Sequence, residues 1–201
     1  MQNTCRNQAG DDMNLFYEDY PASVVVNGEE IPIITDFRSY IQLHDMLRDD
    51  DITYLEKYAI IMNYFEKPPS DFTEAVEQLM QFMEMRALPQ CGAQHNEEYE
   101  AERKKELYSF SIDYPFIFSA FLHDYGINIR TVPYMHWWEF CALFDGLSDD
   151  TEIKQRIAYR GVDAGQIEDK KEQKRIRKIQ EMIQLPGAEL SDYGIGDAFG
   201  W

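Results

Sequence analysis

The stretch SVVVNGEEIPIITDFRSYIQLHDML, residues 23–47, changes period partway along, and that change decides the fold class. Its first half is β-like: Val24, Val25 and Val26, then Ile31, Ile33 and Ile34, divided by Asn27-Gly28. Asn-Gly between two branched runs is a strong hairpin signal, because a tight primed turn needs positive φ at both central residues. Pro32 lacks a backbone donor, which makes the second strand an edge. Thr35-Asp36 then reads as a helix cap. Beyond it Phe37, Tyr40, Ile41, His44 and Leu47 recur at helical spacing and line one face.

Helical signals dominate the rest. A second helix is expected over 52–66, with Leu55, Tyr58, Ala59, Met62 and Phe65 as its inward stripe and Pro68-Pro69 beyond its end. Asp71 with Glu74 resembles a capping box for a third helix carrying Phe72, Val76, Leu79, Met80 and Met83. A fourth follows Asp113 and Pro115 and stops at Gly126. A fifth runs from near Pro133 to Gly146, a sixth over about 150–160, and a basic helix over 163–184. The fold class is therefore mainly α, a multi-helix domain with a small N-terminal antiparallel β-hairpin. One domain is expected over 13–185, with the hairpin in 13–35, helices in 36–86, a polar linker in 87–106 and helices in 107–185. Residues 1–12 read as a disordered leader, or as text upstream of a natural start at Met13. Residues 186–201 read as a flexible tail.

The chain has 201 residues, with 37 Asp plus Glu against 19 Lys plus Arg, a formal charge of −18. That charge argues against nucleic acid or bare anionic membrane as a partner, since both are held through Lys and Arg. An aromatic content of 14% is too high for a disordered acidic polypeptide. Cys5, Cys91 and Cys141 form no CxxC pair and are odd in number, so neither a zinc site of usual spacing nor a disulfide framework is indicated. Cys141, inside an apolar run, reads as a small buried hydrophobe. No apolar leader suited to export and no long apolar run occurs, which points to a reducing cytosol.

Nothing in the text supports catalysis. His44, His95, His123 and His136 make no HExxH motif and no i, i+4 pair on one helix, so they read as surface or capped core histidines. The GIGDAFG stretch near residue 200 has the wrong spacing for a phosphate loop. Runs such as Asp49–Asp51 and Asp149-Asp150 sit at element boundaries, where solvated caps explain them. No catalytic, metal-binding or cofactor-binding residue is assigned.

Three features suit binding. In YMHWWEFCALFDGL, residues 134–147, Trp137, Phe140, Cys141, Phe144 and Leu147 share one face, while Trp138 falls with Tyr134 and Ala142 on another. Such a helix is either central to the core or shared with a partner, and Tyr134, Trp137 and Trp138 are the partner-binding candidates on the second reading. Met80, Met83 and Met85 either complete a core stripe or offer an adaptable apolar surface, Met85 being the one expected outside. The last helix carries net +2 over 166–184 in a chain of −18. Ile176, Ile179 and Ile183 form its stripe, and Lys174 and Arg177 lie among its cations. It docks either on its own acidic body or on a neighbouring copy, giving a homo-oligomer.

Three segments together resemble the bacteriophage gene-product-fifteen family. They are MNLFYEDYPASVVVNGEEIPIITDFRSYIQL from Met13, FSIDYPFIFSAFLHDYGINI from Phe110 and HWWEFCALFDGL from His136. Ile157-Ala158-Tyr159-Arg160 and the basic helix after it fit the same family, so the resemblance covers roughly Met13 to Gln184. It implies a protein of tailed phages and prophages of Gram-positive bacteria, encoded between the major tail protein and the tape-measure protein. That place implies a non-catalytic tail-assembly chaperone that binds the tape-measure protein in the host bacterial cytoplasm. The alternatives are a structural virion protein (a tail connector or completion subunit) and, behind it, an acidic DNA mimic.

Overall fold

The computed structural model describes residues 16–85 and 107–185. Among them the chain forms strands β1 (Ser23–Val26) and β2 (Glu29–Pro32). The helices are α1 (Phe37–Leu47), α2 (Tyr54–Met62), α3 (Phe72–Met83), α4 (Tyr114–Tyr125), α5 (Trp137–Asp145), α6 (Glu152–Gly161) and α7 (Lys170–Ile183), with a 3-10 turn at Ala164–Gln166. It is mainly α with one small antiparallel hairpin, the architecture read from the sequence. The leader, the polar linker and the tail expected at 1–12, 87–106 and 186–201 lie outside the described residues. Packing groups the described residues into two compact units, one from 16–35 and 59–85, the other from 36–58 and 107–185.

In the first unit β1 and β2 pair in the register Val24 to Ile31 and Val26 to Glu29. Asn27 and Gly28 sit at φ 50° and 76°, the positive φ that a primed turn needs and that these two residue types tolerate. Val24, Val26 and Ile31 are buried and Val25 is exposed, the alternation of a half-covered sheet. Helix α3 packs across β1. Asp71 caps α3 by accepting the Glu74 N–H at 3.1 Å. The Glu74 carboxylate does not close a capping box, but accepts the backbone N–H of Asn27 at 2.8 Å and so ties the hairpin turn to α3. Pro32 keeps its carbonyl in use, accepting the Glu66 N–H at 3.0 Å, and Ile33 bridges to Phe65.

The second unit is built on stacked rings. Phe140 of α5, fully buried, lies between Phe37 of α1 at 4.7 Å and 13° and Phe121 of α4 at 5.2 Å and 10°. Trp137 stacks on Tyr40, and Phe110 meets Trp137, Phe140 and Phe144 at steep angles. Offset-stacked and edge-on rings avoid face-to-face quadrupole repulsion, so each pair adds about 1 kcal/mol beyond its buried area. The start of α1 is fastened to the segment before α5: Asp36 bridges to His136, and Phe37 N–H donates to the Met135 carbonyl. Arg38 donates to the carbonyls of Ile129 and Val132 at 3.1 and 2.6 Å.

Four expectations are corrected. The second helix spans Tyr54–Met62 rather than 52–66, and its expected stripe is split: Phe65, beyond its end, is buried and Met62 is half-buried. Lys57 is 5% exposed and donates from Nζ to the Leu47 carbonyl at 2.8 Å. Leu55, Tyr58 and Ala59, expected inside, are exposed. The fifth helix begins at Trp137, because residues before it are extended and held against α1. The basic helix is split into the 3-10 turn and α7, with a cap at Asp169 between them. Cys141 is half-buried rather than fully enclosed.

Candidate partner-binding surface

The sequence candidates fall in both units. Met80 is half-buried and Met83 is 8% exposed, so Met83 belongs to the α3 core stripe. Met85 is also half-buried, at φ 53°, in the left-handed turn just after α3. Trp137 and Trp138 are 4% and 1% exposed. They are interior side chains of the second unit and are taken out of any surface a partner could reach on this fold. Tyr134, 54% exposed, stays outside. The methionines and the α5 aromatics do not share a unit.

His136 explains why a polar residue precedes the two tryptophans. It is 4% exposed and serves as the N-cap of α5, its Nδ1 accepting the Trp138 N–H at 3.0 Å. An imidazole nitrogen here does what a Ser or Asp oxygen does at other caps.

The residues proposed for self-association divide by face. Ile176 is buried, Ile179 and Ile183 are half-buried, and α7 packs through them on α6. Gln180 donates to the carbonyls of Tyr159 and Val162 at 2.8 Å each. Lys174 and Arg177 point outward with Lys170, Lys171 and Lys178. The apolar side of α7 is thus engaged within its own chain, and its cations are displayed.

Two features were missed from the sequence. The first is a buried ion pair between Asp113 and Arg160, with oxygen–nitrogen distances of 2.6 and 2.9 Å. Asp113 was legible as a helix start, but its carboxylate is turned to Arg160 and to the Ser109 N–H rather than to α4. The second is the outward side of α2, where Tyr54 is 67% exposed, Leu55 79% and Tyr58 42%. Asp49, Asp50, Asp51 and Glu56 around it are exposed acids. Thr53-x-x-Glu56 is a capping box, the Glu56 carboxylate accepting from Thr53 N–H at 3.0 Å and Oγ1 at 2.7 Å. Those hydrogen bonds hold the Glu56 carboxyl below its ordinary pKa, so it is charged at neutral pH.

The titratable side chains have structural surroundings. Burial, with the Arg48 charge adding to it, lowers His44 to about 4. Burial, helped by Asp145, pushes the Cys141 thiol up, so it stays protonated and a poor nucleophile at neutral pH. His123 is exposed and raised by its hydrogen bond to Asp124 at 2.7 Å. Among the described residues no group of three or more His, Cys, Asp or Glu is placed to hold a metal ion. Nor is any helix there long and apolar enough to cross a membrane.

A mainly helical protein with an N-terminal hairpin, an aromatic core and an acid-rimmed apolar helix face is the class these features define. The family model described as bacteriophage Gp15 protein matches residues 16–185, which is most of the chain, and the chain belongs to that family. No curated protein and no solved structure matches it.

Proposed function

We propose that this chain is a non-catalytic tail-assembly chaperone that binds the tape-measure protein in the host bacterial cytoplasm. Its membership in the bacteriophage Gp15 family carries the reading, through the gene position that the resemblance implies. Physical chemistry supports it. A tape-measure protein is long, helical and apolar, and must stay dispersed until tail subunits enclose it. A charge of −18 keeps the chain and what it binds apart from like complexes. Apolar residues turned outward on α2 supply a place for a helix to lie. The role requires no cofactor, nucleic acid or membrane.

Co-expression with the tape-measure protein encoded beside it, followed by affinity capture, tests the reading. Co-purification that keeps the tape measure soluble supports it, whereas tape measure that is soluble alone and never captured refutes it. Mass spectrometry of purified virions separates the structural alternative: a chaperone is absent, a connector is present at fixed stoichiometry.

A further inference from the structure

We infer that the outward side of α2, centred on Tyr54, Leu55 and Tyr58, is the docking site for an amphipathic helix with basic flanks. Tyr54, Leu55 and Tyr58 fall within about 100° of one another around α2 and form one exposed apolar strip. The adjoining side is the one the fold covers, by burying Lys57 against the end of α1. Leu55 is left 79% exposed, an uncommon place for a leucine flanked by two exposed tyrosines. Tyrosines beside an aliphatic anchor are a composition enriched at interfaces, where a ring adds apolar area at small entropic cost.

Charge selects the occupant. Asp49, Asp50 and Asp51 lie within five residues of the start of α2, and Glu56 is on the helix itself; all four are exposed. Lys57, held on the Leu47 carbonyl, and Arg48, beside His44 at 3.4 Å, bring two positive charges against these four carboxylates and leave the surroundings net negative. An incoming helix that places Leu or Met on Tyr54, Leu55 and Tyr58 therefore meets carboxylates at its edges. Lys or Arg there is favoured and Glu is repelled. In naming a segment of the tape-measure protein as the natural occupant, the inference rests on the proposed function; the surface itself does not.

The test uses the full chain and a synthetic amphipathic helix of roughly 18 residues, about five turns, with Leu on one side and Lys at its flanks. A second peptide carries Glu at the flanks. Isothermal titration should show the Lys peptide binding, weakening as salt rises from about 50 to about 500 mM, and the Glu peptide at least about tenfold weaker. Leu55→Lys should weaken the Lys peptide by at least about tenfold with an unchanged melting curve, and Leu55→Met should retain it. Failure of both peptides to bind, or equal binding by Leu55→Lys, overturns the inference. A wild-type dimer that Leu55→Lys dissolves also overturns it, assigning the face to a second copy. Tape-measure capture undiminished by Leu55→Lys removes the α2 site and leaves the chaperone reading standing. Lys-peptide binding without tape-measure capture does the reverse.

Discussion

Arg160 and Asp113 meet as a buried bidentate pair, 2.6 and 2.9 Å apart, with 5% and 0% of each residue exposed. The guanidinium also donates from Nε to the Ile183 carbonyl at 2.8 Å and from Nη1 to the Leu107 carbonyl at 3.0 Å. One side chain on α6 thereby holds the start of α4, the end of α7 and the segment entering the unit. Burying a charge costs several kcal/mol unless it is paired and hydrogen-bonded, and here all three guanidinium nitrogens donate. Arg160→Ala leaves the Asp113 carboxylate buried without its cation, and should cost about 3–5 kcal/mol. Arg160→Lys should recover little, because an ammonium cannot span two carboxylate oxygens and two carbonyls. Urea unfolding monitored by far-UV circular dichroism measures both.

Phe140 is the ring on which the second unit is stacked, with Phe37 and Phe121 nearly parallel on its two sides. Phe140→Ala removes these stacks, with those on Trp137 and Phe144, and opens a cavity, at about 3–5 kcal/mol. Trp138→Ala should cost a comparable amount, since Trp138 is 1% exposed. Lower melting temperature in both variants is the expected result. A Trp138→Ala protein that melts like the wild type would instead put that indole outside the core.

Local chemistry made much of this fold legible. Asn27-Gly28 specified the turn, Asp36 and Asp71 specified caps, and Gly126, at φ 65°, specified the end of α4. Of the acid runs read as caps, Asp49 accepts the Asp51 N–H in its turn, while Thr151 rather than Asp149 or Asp150 is the N-cap of α6. Asp163 and Asp169 do accept backbone N–H groups at their element starts. What the text did not disclose depends on partners far away in the chain. Arg160 lies 47 residues from Asp113, and nothing local pairs them. The face that α2 buries was misread for a related reason. Periodicity finds an apolar side, but which side turns inward was decided by Lys57 capping α1, a contact no hydrophobic pattern contains. Of the binding candidates, Tyr134 is exposed and the two tryptophans are not; the side of α5 left open carries Glu139, Ala142 and Asp145 instead.

His136 should be replaceable at its cap but not dispensable. Its Nδ1 satisfies the Trp138 N–H in a place that water cannot reach freely. His136→Asn offers an amide oxygen of similar reach and should stay within a few tenths of a kcal/mol of wild type, whereas His136→Ala should lose about 1 kcal/mol or somewhat more. Comparing the two melting curves separates capping from packing, because both substitutions shrink the ring and only one removes the acceptor.

His44 should make the protein acid-sensitive over a defined window. It is half-buried on α1, its ring edge set against Phe110 at 5.3 Å, and burial with the Arg48 charge lowers it from 6.5 to about 4. The unfolded chain therefore binds a proton at a pH where the folded chain does not, so stability rises with pH across that interval. His44 costs nothing above pH ~6.5, and stability falls as pH drops from there to about 4, by up to about 3 kcal/mol. His44→Gln removes the titration and should flatten this part of the pH–stability curve, even if it lowers stability at pH ~7. Arg48→Gln should bring His44 part of the way back toward 6.5, so the fall ends at a higher pH and its total is somewhat smaller, since the charge is the lesser of the two causes. Chemical denaturation of the three proteins at intervals between pH ~7 and ~4.5 decides it. A slope in His44→Gln equal to that of the wild type would assign the acid sensitivity to the carboxylates instead.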